Sequence, residues 1–175
     1  MLKPLEVFEA IRRRRSIRRY KKDAKIPEEH ILKILEAARL APSAGNRQPW
    51  RFVVVKDPEV KRKLAEACNN QTFIADAQVA VVAIGDPSVS RWYSQDPMIA
   101  VEHMVLEATE LGYGTCWIGA FNEEAVKKVL NIPPELKVIC VIPVGVPDEE
   151  PPPRPRKPIE EIFHLDRYGN PYKVK

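Results

Sequence analysis

The sequence predicts a single α+β domain whose helices surround a central sheet. The run Val79–Ile84 is continuously apolar and has the length of one strand, which is typical of a strand covered on both faces. The segment Pro97–Leu111 has little polar surface on any side of a helix, which indicates a helix buried in the core or at a subunit interface. The 175 residues suit one compact domain, because a chain of this size removes roughly 70% of its surface from water on folding.

The N-terminal part is predicted to contain two helices with a basic, extended stretch between them. Apolar residues recur at helical spacing from Pro4 to Arg15, and the extended stretch then reaches Lys25. Pro27 is expected at the first position of the second helix, which ends before Pro42. The apolar faces consist of Leu5, Phe8 and Ile11 in the first helix and of Ile31, Ile34, Leu35 and Ala38 in the second.

The remaining elements follow from caps and apolar runs. In chain order they are a strand at Arg51–Val55, a helix capped by Asp57 with Pro58 at its first position and ending near Cys68, the strand Val79–Ile84, the helix Pro97–Leu111 with Gly112 as C-terminal cap, a strand at Thr115–Ile118, an Asn122-capped helix ending near Leu130, and a strand at Val138–Val144. The proline-rich segment Pro147–Pro158 is extended, and its composition alone is typical of a linker or a surface arm.

The sequence lacks the motifs that mark several classes of protein function. It has neither a G-x-G-x-x-G nor a G-x-x-x-x-G-K-[ST] motif, no serine in a G-x-S-x-G turn and no H-E-x-x-H spacing. The three cysteines are widely spaced in apolar surroundings, so we expect neither disulfides nor a structural metal site. No apolar run approaches the ~18 residues of a membrane span, and we expect a cytoplasmic protein without a membrane partner.

The first candidate site is a basic segment near the N-terminus. Residues 12–22 contain eight basic residues and no acidic one, although the net charge of the chain is only +4. Within it, Arg14-Arg15-Ser16-Ile17-Arg18-Arg19-Tyr20 places guanidinium groups and a hydroxyl on one extended stretch, where they could hold a phosphate. A solvated basic face and a nucleic-acid contact are the alternatives for this segment alone.

The second candidate site is the loop Ala41–Phe52, between a predicted helix and a predicted strand. Small residues, a glycine and two prolines make it stiff, and its backbone could approach a flat ligand closely. Ser43 and Asn46 offer a hydroxyl and an amide to such a ligand. The alternative is a well-defined connection without a ligand.

Taken together, the two segments resemble the nitroreductase family, whose best sequence marks are R-[RH]-S-x-R-x-[FY] and P-S-[AS]-x-N-x-Q-P-W-x-F. The resemblance runs from about Phe8 to Pro158, with the marks in the family's order. Further matching segments are Asn70-Gln71 ahead of Ala77–Val79, then Glu110–Phe121, Pro143–Pro147 and Arg154–Pro158. The resemblance implies a mostly antiparallel central sheet flanked by helices, one domain over residues 1–175, and a homodimer.

The family also implies an FMN cofactor and a role for each matching residue. The FMN phosphate and ribityl chain are expected on Arg14, Arg15, Ser16 and Arg18, with Arg154 and Arg156 closing on the same phosphate. Residues 147–175 thereby become an extended arm over the cofactor and the partner subunit. The loop residues Pro42, Ser43, Ala44 and Asn46 are expected against the flavin held mainly by the partner, and Asn70 or Gln71 at the pyrimidine edge of the ring.

Two further expectations concern the reaction. The turn formed by Trp117, Ile118, Gly119 and Ala120 should present backbone N–H groups near flavin N5, although family members often carry an acidic residue there. The implied reaction is ping-pong: NADH or NADPH delivers hydride to N5, then a nitroaromatic, quinone or flavin acceptor takes the electrons, without a catalytic acid-base residue. Trp92 and Tyr93 either stack on the acceptor or pack on their own loop.

Two alternatives to this function stay open. The first is a specialised enzyme of the same family, such as a dehalogenase or a dehydrogenase, although such relatives often carry additional lid segments. The second is a nucleic-acid-binding module using residues 12–22, which has only Tyr20 as an aromatic partner for bases.

Overall fold

The computed structural model describes residues 6–173 and has a four-stranded sheet flanked by helices. The elements in chain order are α1 (Val7–Arg13), α2 (Glu28–Arg39), a 3-10 turn (Ala44–Asn46), β1 (Trp50–Val55), α3 (Pro58–Ala67), α4 (Phe73–Asp76), β2 (Val79–Gly85), α5 (Asp96–Glu110), β3 (Gly114–Thr115), α6 (Glu123–Leu130), β4 (Lys137–Gly145) and α7 (Ile159–Ile162). The predicted α+β class is confirmed.

The sheet has the order β1-β2-β4-β3, and all its pairs are antiparallel. Its two long central strands are β2 and β4, whose register places Val81 opposite Ile142. All seven residues of β2 are buried, as its continuous apolar run predicts. The expected antiparallel central sheet is therefore present.

Separate hydrophobic cores cover the two faces of the sheet. Successive side chains of a strand point to opposite faces, so Val79, Val81 and Ala83 face one core while Ala80, Val82 and Ile84 face the other. The first core also contains α2 and α5, and the second contains α3, α4 and α6. The sheet is thus the middle of three layers.

Helix α5 is the principal covering element of the first face. Ala100, Val101, Met104, Val105 and Ala108 are all fully buried, which confirms a core position for this helix. Its C-terminus has the hydrogen bonds of a Schellman motif, from Tyr113 N–H to Ala108 C=O and from Gly112 N–H to Thr109 C=O. Gly112 has the positive φ of 84° that this motif requires, so the predicted glycine cap is confirmed.

Some local predictions differ from the structure. Pro27 precedes α2 as its N-cap instead of occupying the first helical position. The predicted strand Thr115–Ile118 is shortened to β3, and Ile118 makes only an isolated bridge to Val141. The one-turn helices α4 and α7 were not predicted, because one turn is too short for a periodic apolar pattern.

The first helix differs most from its predicted packing. Helix α1 buries Ala10, whereas Phe8 is 74% exposed and Ile11 is 52% exposed. The predicted start at Pro4 and the apolar Leu5 lie outside the described residues. Among residues 6–173, no helix has both the length and the apolarity needed to cross a membrane.

Candidate functional site

The basic segment lies against the end of the sheet as an additional extended strand. Ser16 forms a parallel bridge with Thr115, and the Ile17 N–H donates to the Thr115 carbonyl at 2.8 Å. Further along, Tyr20 forms an antiparallel bridge with Pro147. Backbone hydrogen bonds to the sheet therefore fix the segment that carries the arginines.

Two paired glycines form the surface on which this segment packs. Gly114 of β3 is the register partner of Gly145 of β4. A Cβ atom at Gly114 would lie 2.7 Å from Ile17 Cγ1, and one at Gly145 would lie 2.6 Å from Tyr20 Cδ1. Because both distances are shorter than carbon–carbon contacts, only glycine lets the buried side chains of Ile17 and Tyr20 lie on the strands.

The chain returns to the same place after β4. The Lys21 N–H donates to the Val146 carbonyl at 3.0 Å, and the Asp148 N–H donates to the Arg19 carbonyl at 2.9 Å. The Glu149 carboxylate accepts the backbone N–H groups of Arg18 and Arg19. We call this junction of residues 16–21 with residues 114–115 and 146–149 the terminal seam.

Gln78 joins the two sides of the terminal seam with a single side chain. Its Nε2 donates to the Lys21 carbonyl at 2.8 Å, and its Oε1 accepts the Val146 N–H at 2.7 Å. Residue 78 immediately precedes β2, so the most buried strand positions this amide. This role of Gln78 was not predicted, because its two partners are distant from it in sequence.

Beyond the terminal seam lies a cavity of about 870 Å³ between the N-terminal segment and the C-terminal arm. We call it the arginine cavity, because its lining includes Arg12, Arg14, Arg15, Arg18, Arg154 and Arg156, together with Ser16. Glu149 is the acidic residue of the lining, and its carboxylate is bound to the backbone of the seam. The structure therefore brings together all six residues that were predicted to hold the phosphate, namely Arg14, Arg15, Ser16, Arg18, Arg154 and Arg156.

The donors of the arginine cavity fit a phosphate. Arg15 donates through Nη1 to the carbonyls of Arg12 and Arg14, both at 2.8 Å. Its Nε is buried and has no hydrogen-bond partner among residues 6–173. Since guanidinium groups and a serine hydroxyl bind phosphate oxygens well, this set of donors suits a phosphate monoester.

Cys116 lies beside these donors and stays a neutral thiol. Burial raises the pKa of the Cys116 thiol, while Arg18, Ser16 and Arg14 partly counteract that rise. The thiol is therefore protonated near neutral pH, because even an unperturbed cysteine has a pKa of about 8.5. Cys116 therefore offers no thiolate nucleophile beside the arginines.

The turn after Cys116 contacts Gln71. Gln71 Nε2 donates to the Ala120 carbonyl at 3.1 Å and to the Cys68 carbonyl at 3.0 Å. Ile118 uses both its backbone groups in hydrogen bonds to Val141, each at 3.0 Å. The predicted role of the Ile118 N–H near a ligand is therefore wrong, because this group is bound to β4. Trp117 and the exposed residues Gly119 and Ala120 carry the other N–H groups of the turn, and a Cβ at Gly119 would contact nothing within 4 Å.

The loop before β1 is held rigidly at a different place. Ser43 Oγ accepts the Gln48 N–H at 2.9 Å, and the Ala44 N–H donates to the buried carboxylate of Asp96 at 3.2 Å. Three residues of the loop, Gly45, Asn46 and Gln48, have positive φ angles. None of residues 42–48 contributes to the lining of the arginine cavity in the described part of the chain.

Comparisons with known proteins identify the family to which this arrangement belongs. The model of the nitroreductase family matches residues 11–86 and 68–146. The chain belongs to the nitroreductase family. A protein of Archaeoglobus fulgidus, provisionally named NADH dehydrogenase/NAD(P)H nitroreductase, is 40% identical over 97% of this chain and 96% of its own length.

Two further relatives show the breadth of the similarity. The structure of an FMN-dependent nitroreductase from Clostridium difficile is 30% identical, covers 92% of this chain and 99% of its own, and has a TM-score of 0.84. An iodotyrosine deiodinase from Thermotoga neapolitana is 27% identical over 90% of this chain and 95% of its own length. The fold that the sequence resemblance implied is thus confirmed.

Within this member of the nitroreductase family, the predicted site residues fall into three groups. The arginines and Ser16 line one cavity, and Gln71 contacts the turn of residues 117–120. Asn70 is exposed with a positive φ of 57° next to Gln71. The third group, the loop of residues 42–46, lies apart from the arginine cavity of its own chain.

Trp92 and Tyr93 lie in a series of turns between β2 and α5. Trp92 is 39% exposed, and the Arg91 guanidinium lies 5.1 Å from the centre of its indole ring. The Tyr93 carbonyl lies so close to Gly85 that a Cβ there would clash with it. Tyr93 therefore packs on the end of β2, whereas Trp92 has an exposed ring.

Proposed function

We propose that this member of the nitroreductase family is an FMN-dependent NAD(P)H oxidoreductase that reduces nitroaromatics, quinones or free flavins by a ping-pong reaction. The observation that carries the proposal is the convergence of arginines from both chain ends on one cavity of about 870 Å³. The resemblance to the FMN-dependent nitroreductase of Clostridium difficile supports the choice of FMN over other phosphorylated ligands.

In this proposal the chain's own residues bind and orient the cofactor. Arg14, Arg15, Ser16 and Arg18 hold the phosphate and ribityl chain from one side, and Arg154 and Arg156 hold the phosphate from the other. The turn at residues 117–120 offers the N–H groups of Gly119 and Ala120 to the ring, and Asn70 or Gln71 lies at its edge. When bound, FMN supplies the hydride and electron transfer, so no acid-base residue is required.

We propose further that the site is completed by a second copy of the chain. Large apolar side chains are exposed on α1 and directly after α2, with Phe8 at 74% and Leu40 at 65% exposure. The C-terminal arm beyond residue 147 also exposes Ile159, Ile162, Phe163 and Leu165. Exposed apolar surface of this kind is typical of an interface, and a dimer would allow the loop Ser43–Asn46 to reach the partner's flavin.

The relatives support one alternative, a specialised flavin enzyme such as a dehalogenase. The similarity to the iodotyrosine deiodinase of Thermotoga neapolitana favours it. An acceptor screen separates the two, because the generalist proposal predicts turnover with menadione and nitrofurazone and the alternative predicts turnover only with a halogenated phenol. Cytoplasmic location stays a prediction, as does the absence of nucleic-acid binding.

Anaerobic reduction of the purified protein tests the proposed chemistry. We expect a yellow protein whose flavin absorbance near 450 nm is bleached by NADH or NADPH and restored by menadione. A colourless protein that takes up no FMN would contradict the proposal, and so would a flavin that neither nicotinamide reduces.

Mixed dimers test whether the site is shared between subunits. Arg14→Ala and Ser43→Ala subunits, each weakened in FMN binding as homodimers, are combined through two different affinity tags. In a shared site the heterodimer has one fully intact pocket and one doubly impaired pocket, so FMN occupancy returns to one tight site per dimer. If both sites of the heterodimer stay weak, Arg14 and Ser43 serve the same subunit's flavin.

A further inference from the structure

A second cavity, of about 440 Å³, lies at the other end of the β1–β2 pair. Antiparallel pairing of Trp50 with Gly85 brings the residues before β1 beside those after β2, and the Asp86 N–H donates to the Pro49 carbonyl at 2.8 Å. The lining consists of Arg47, Pro87, Ser88, Val89, Ser90, Arg91 and Trp92. The pairing of β1 with β2 therefore positions the two loops that line this cavity.

The lining of this cavity is cationic. It contains two arginines and no acidic residue. Neither Arg47 nor Arg91 has a carboxylate partner within 4.0 Å in the described residues, whereas Arg39 and Arg62 on the helices are paired with glutamates. Two unpaired guanidinium groups at one cavity are suited to an anion with several oxygens.

Hydroxyl and aromatic groups complete the cavity. Ser90 is 8% exposed, and its Oγ accepts the Trp92 N–H at 3.1 Å, which leaves its own hydrogen for a ligand oxygen. The Ser88 hydroxyl donates to Asp86, which lies outside the lining. The Arg91 guanidinium lies over the Trp92 ring in a cation–π contact. This contact positions the flat, partly exposed indole beside the two guanidinium groups of the cavity.

The cavity also adjoins the loop that we place against the flavin. Arg47 directly follows the 3-10 turn Ala44–Asn46, and its Nη1 lies 3.3 Å from the Ala44 carbonyl. A ligand in the cavity would therefore lie beside the loop that we place against the partner's flavin. This position is suited to the distal end of an extended substrate whose reactive end reaches the flavin.

We propose that this cavity binds the 2′-phosphorylated adenosine of NADPH and makes NADPH the preferred electron donor. Arg47, Arg91 and Ser90 bind the 2′-phosphate, and the Trp92 indole stacks on the adenine. NADH lacks this phosphate, so the preference comes from the two guanidinium groups. The inference rests on the proposed function for its nicotinamide substrate, and it adds which donor is used and which residues select it.

Calorimetric titration of the FMN-loaded protein with adenosine 2′,5′-bisphosphate tests the site without turnover. We expect binding at least about tenfold tighter than that of adenosine 5′-monophosphate, and a loss of about tenfold or more in Arg47→Gln and in Arg91→Gln. Arg62→Gln, which removes an arginine paired on the outer face of α3, is the matched control and should bind like the parent. Equal affinity for the two nucleotides, or unchanged affinity in both cavity variants, would overturn the inference.

Flavin reduction by the two donors distinguishes this inference from the proposed function. In Arg47→Gln, which leaves the contact of Arg91 with Trp92 intact, we expect the half-saturating concentration of NADPH to rise about tenfold and that of NADH to stay unchanged. An equal rise for both donors would overturn the 2′-phosphate assignment. If neither donor reduces the flavin in the parent, the proposed function fails, and the bisphosphate titration still decides whether the cavity exists as a site.

Discussion

The centre of the sheet and the terminal seam are built from opposite kinds of residue. Along β2 and β4, side chains such as Val81 and Ile142 are fully or almost fully buried and belong to one cluster of apolar residues. The terminal seam instead joins distant parts of the chain through backbone hydrogen bonds and the Gln78 amide, and it ends at a cavity lined by arginines. We therefore expect the centre of the sheet to dominate stability and the terminal seam to set the positions of the arginines.

The largest expected effect separates the two regions by stability alone. Ile142→Ala leaves a hole in a core position with 0% exposure, so the free energy of unfolding should fall by about 3 kcal/mol. The FMN affinity of the folded fraction should stay unchanged, since Ile142 lies outside the arginine cavity. Denaturant unfolding and FMN titration measure the two quantities.

Leu32→Ala is the control for the core substitution. Leu32 is 59% exposed on α2, and its truncation should change the free energy of unfolding by less than about 0.5 kcal/mol. Equal losses in the two variants would show that the sheet centre does not dominate stability.

A smaller effect on stability, joined to an effect on FMN, is expected in the terminal seam. Gln78→Leu leaves the Lys21 carbonyl and the Val146 N–H without their partner, which should cost about 1–3 kcal/mol. The loss should be accompanied by weaker FMN binding, because the two segments that Gln78 joins, residues 16–21 and 146–149, lead to the arginines of the cavity. Gln95→Leu, at an exposed glutamine, is the matched control.

The result that would break this coupling is a stable Gln78→Leu protein with the parent's FMN affinity. The amide would then be a local contact without influence on the arginines. Weaker FMN binding at unchanged stability would instead sharpen the comparison, because the seam would then serve the ligand alone.

The smallest effect concerns the surface of α1, before the seam begins. Hydrogen bonds from Arg12 and Arg13 hold the pKa of Glu9 at about 2, below its ordinary value of 4.5. A carboxyl whose pKa is lowered in the folded state stabilises the protein above about pH 4.5, and this contribution disappears as the pH falls toward 2. Thermal unfolding should therefore show a small deficit for Glu9→Gln at pH 6 that vanishes at pH 2, whereas a deficit independent of pH would contradict the pairing.

The sequence could predict the centre of the sheet because its evidence is local. The run Val79–Ile84 and the apolar helix ending at Gly112 need only their own residues to be recognised. Their structures agree with the predictions, including the Schellman hydrogen bonds at Gly112. The apolar face of α1 was predicted correctly, but it is exposed in the single chain. The sequence alone does not show whether such a face packs on the core of the same chain or on another molecule.

The terminal seam was predictable only in part. The resemblance to the nitroreductases placed Arg14 and Arg154 at one ligand, and the structure brings both to one cavity. The roles of Gly114, Gly145 and Gln78 could not be predicted, since each depends on a close approach between segments far apart in sequence. The backbone pairing of Ile118 likewise appears only once β4 lies beside the turn.

The measurement that tests the central claim most directly compares FMN with riboflavin, which lacks the phosphate. We predict that the parent binds FMN at least about a hundredfold more tightly than riboflavin, and that Arg14→Gln and Arg154→Gln each remove about tenfold of this preference. In the double variant the losses should be non-additive, because both side chains bind one phosphate. Equal affinity of the parent for FMN and riboflavin, or variants that weaken both ligands equally, would contradict the convergence of the two chain ends on a single phosphate.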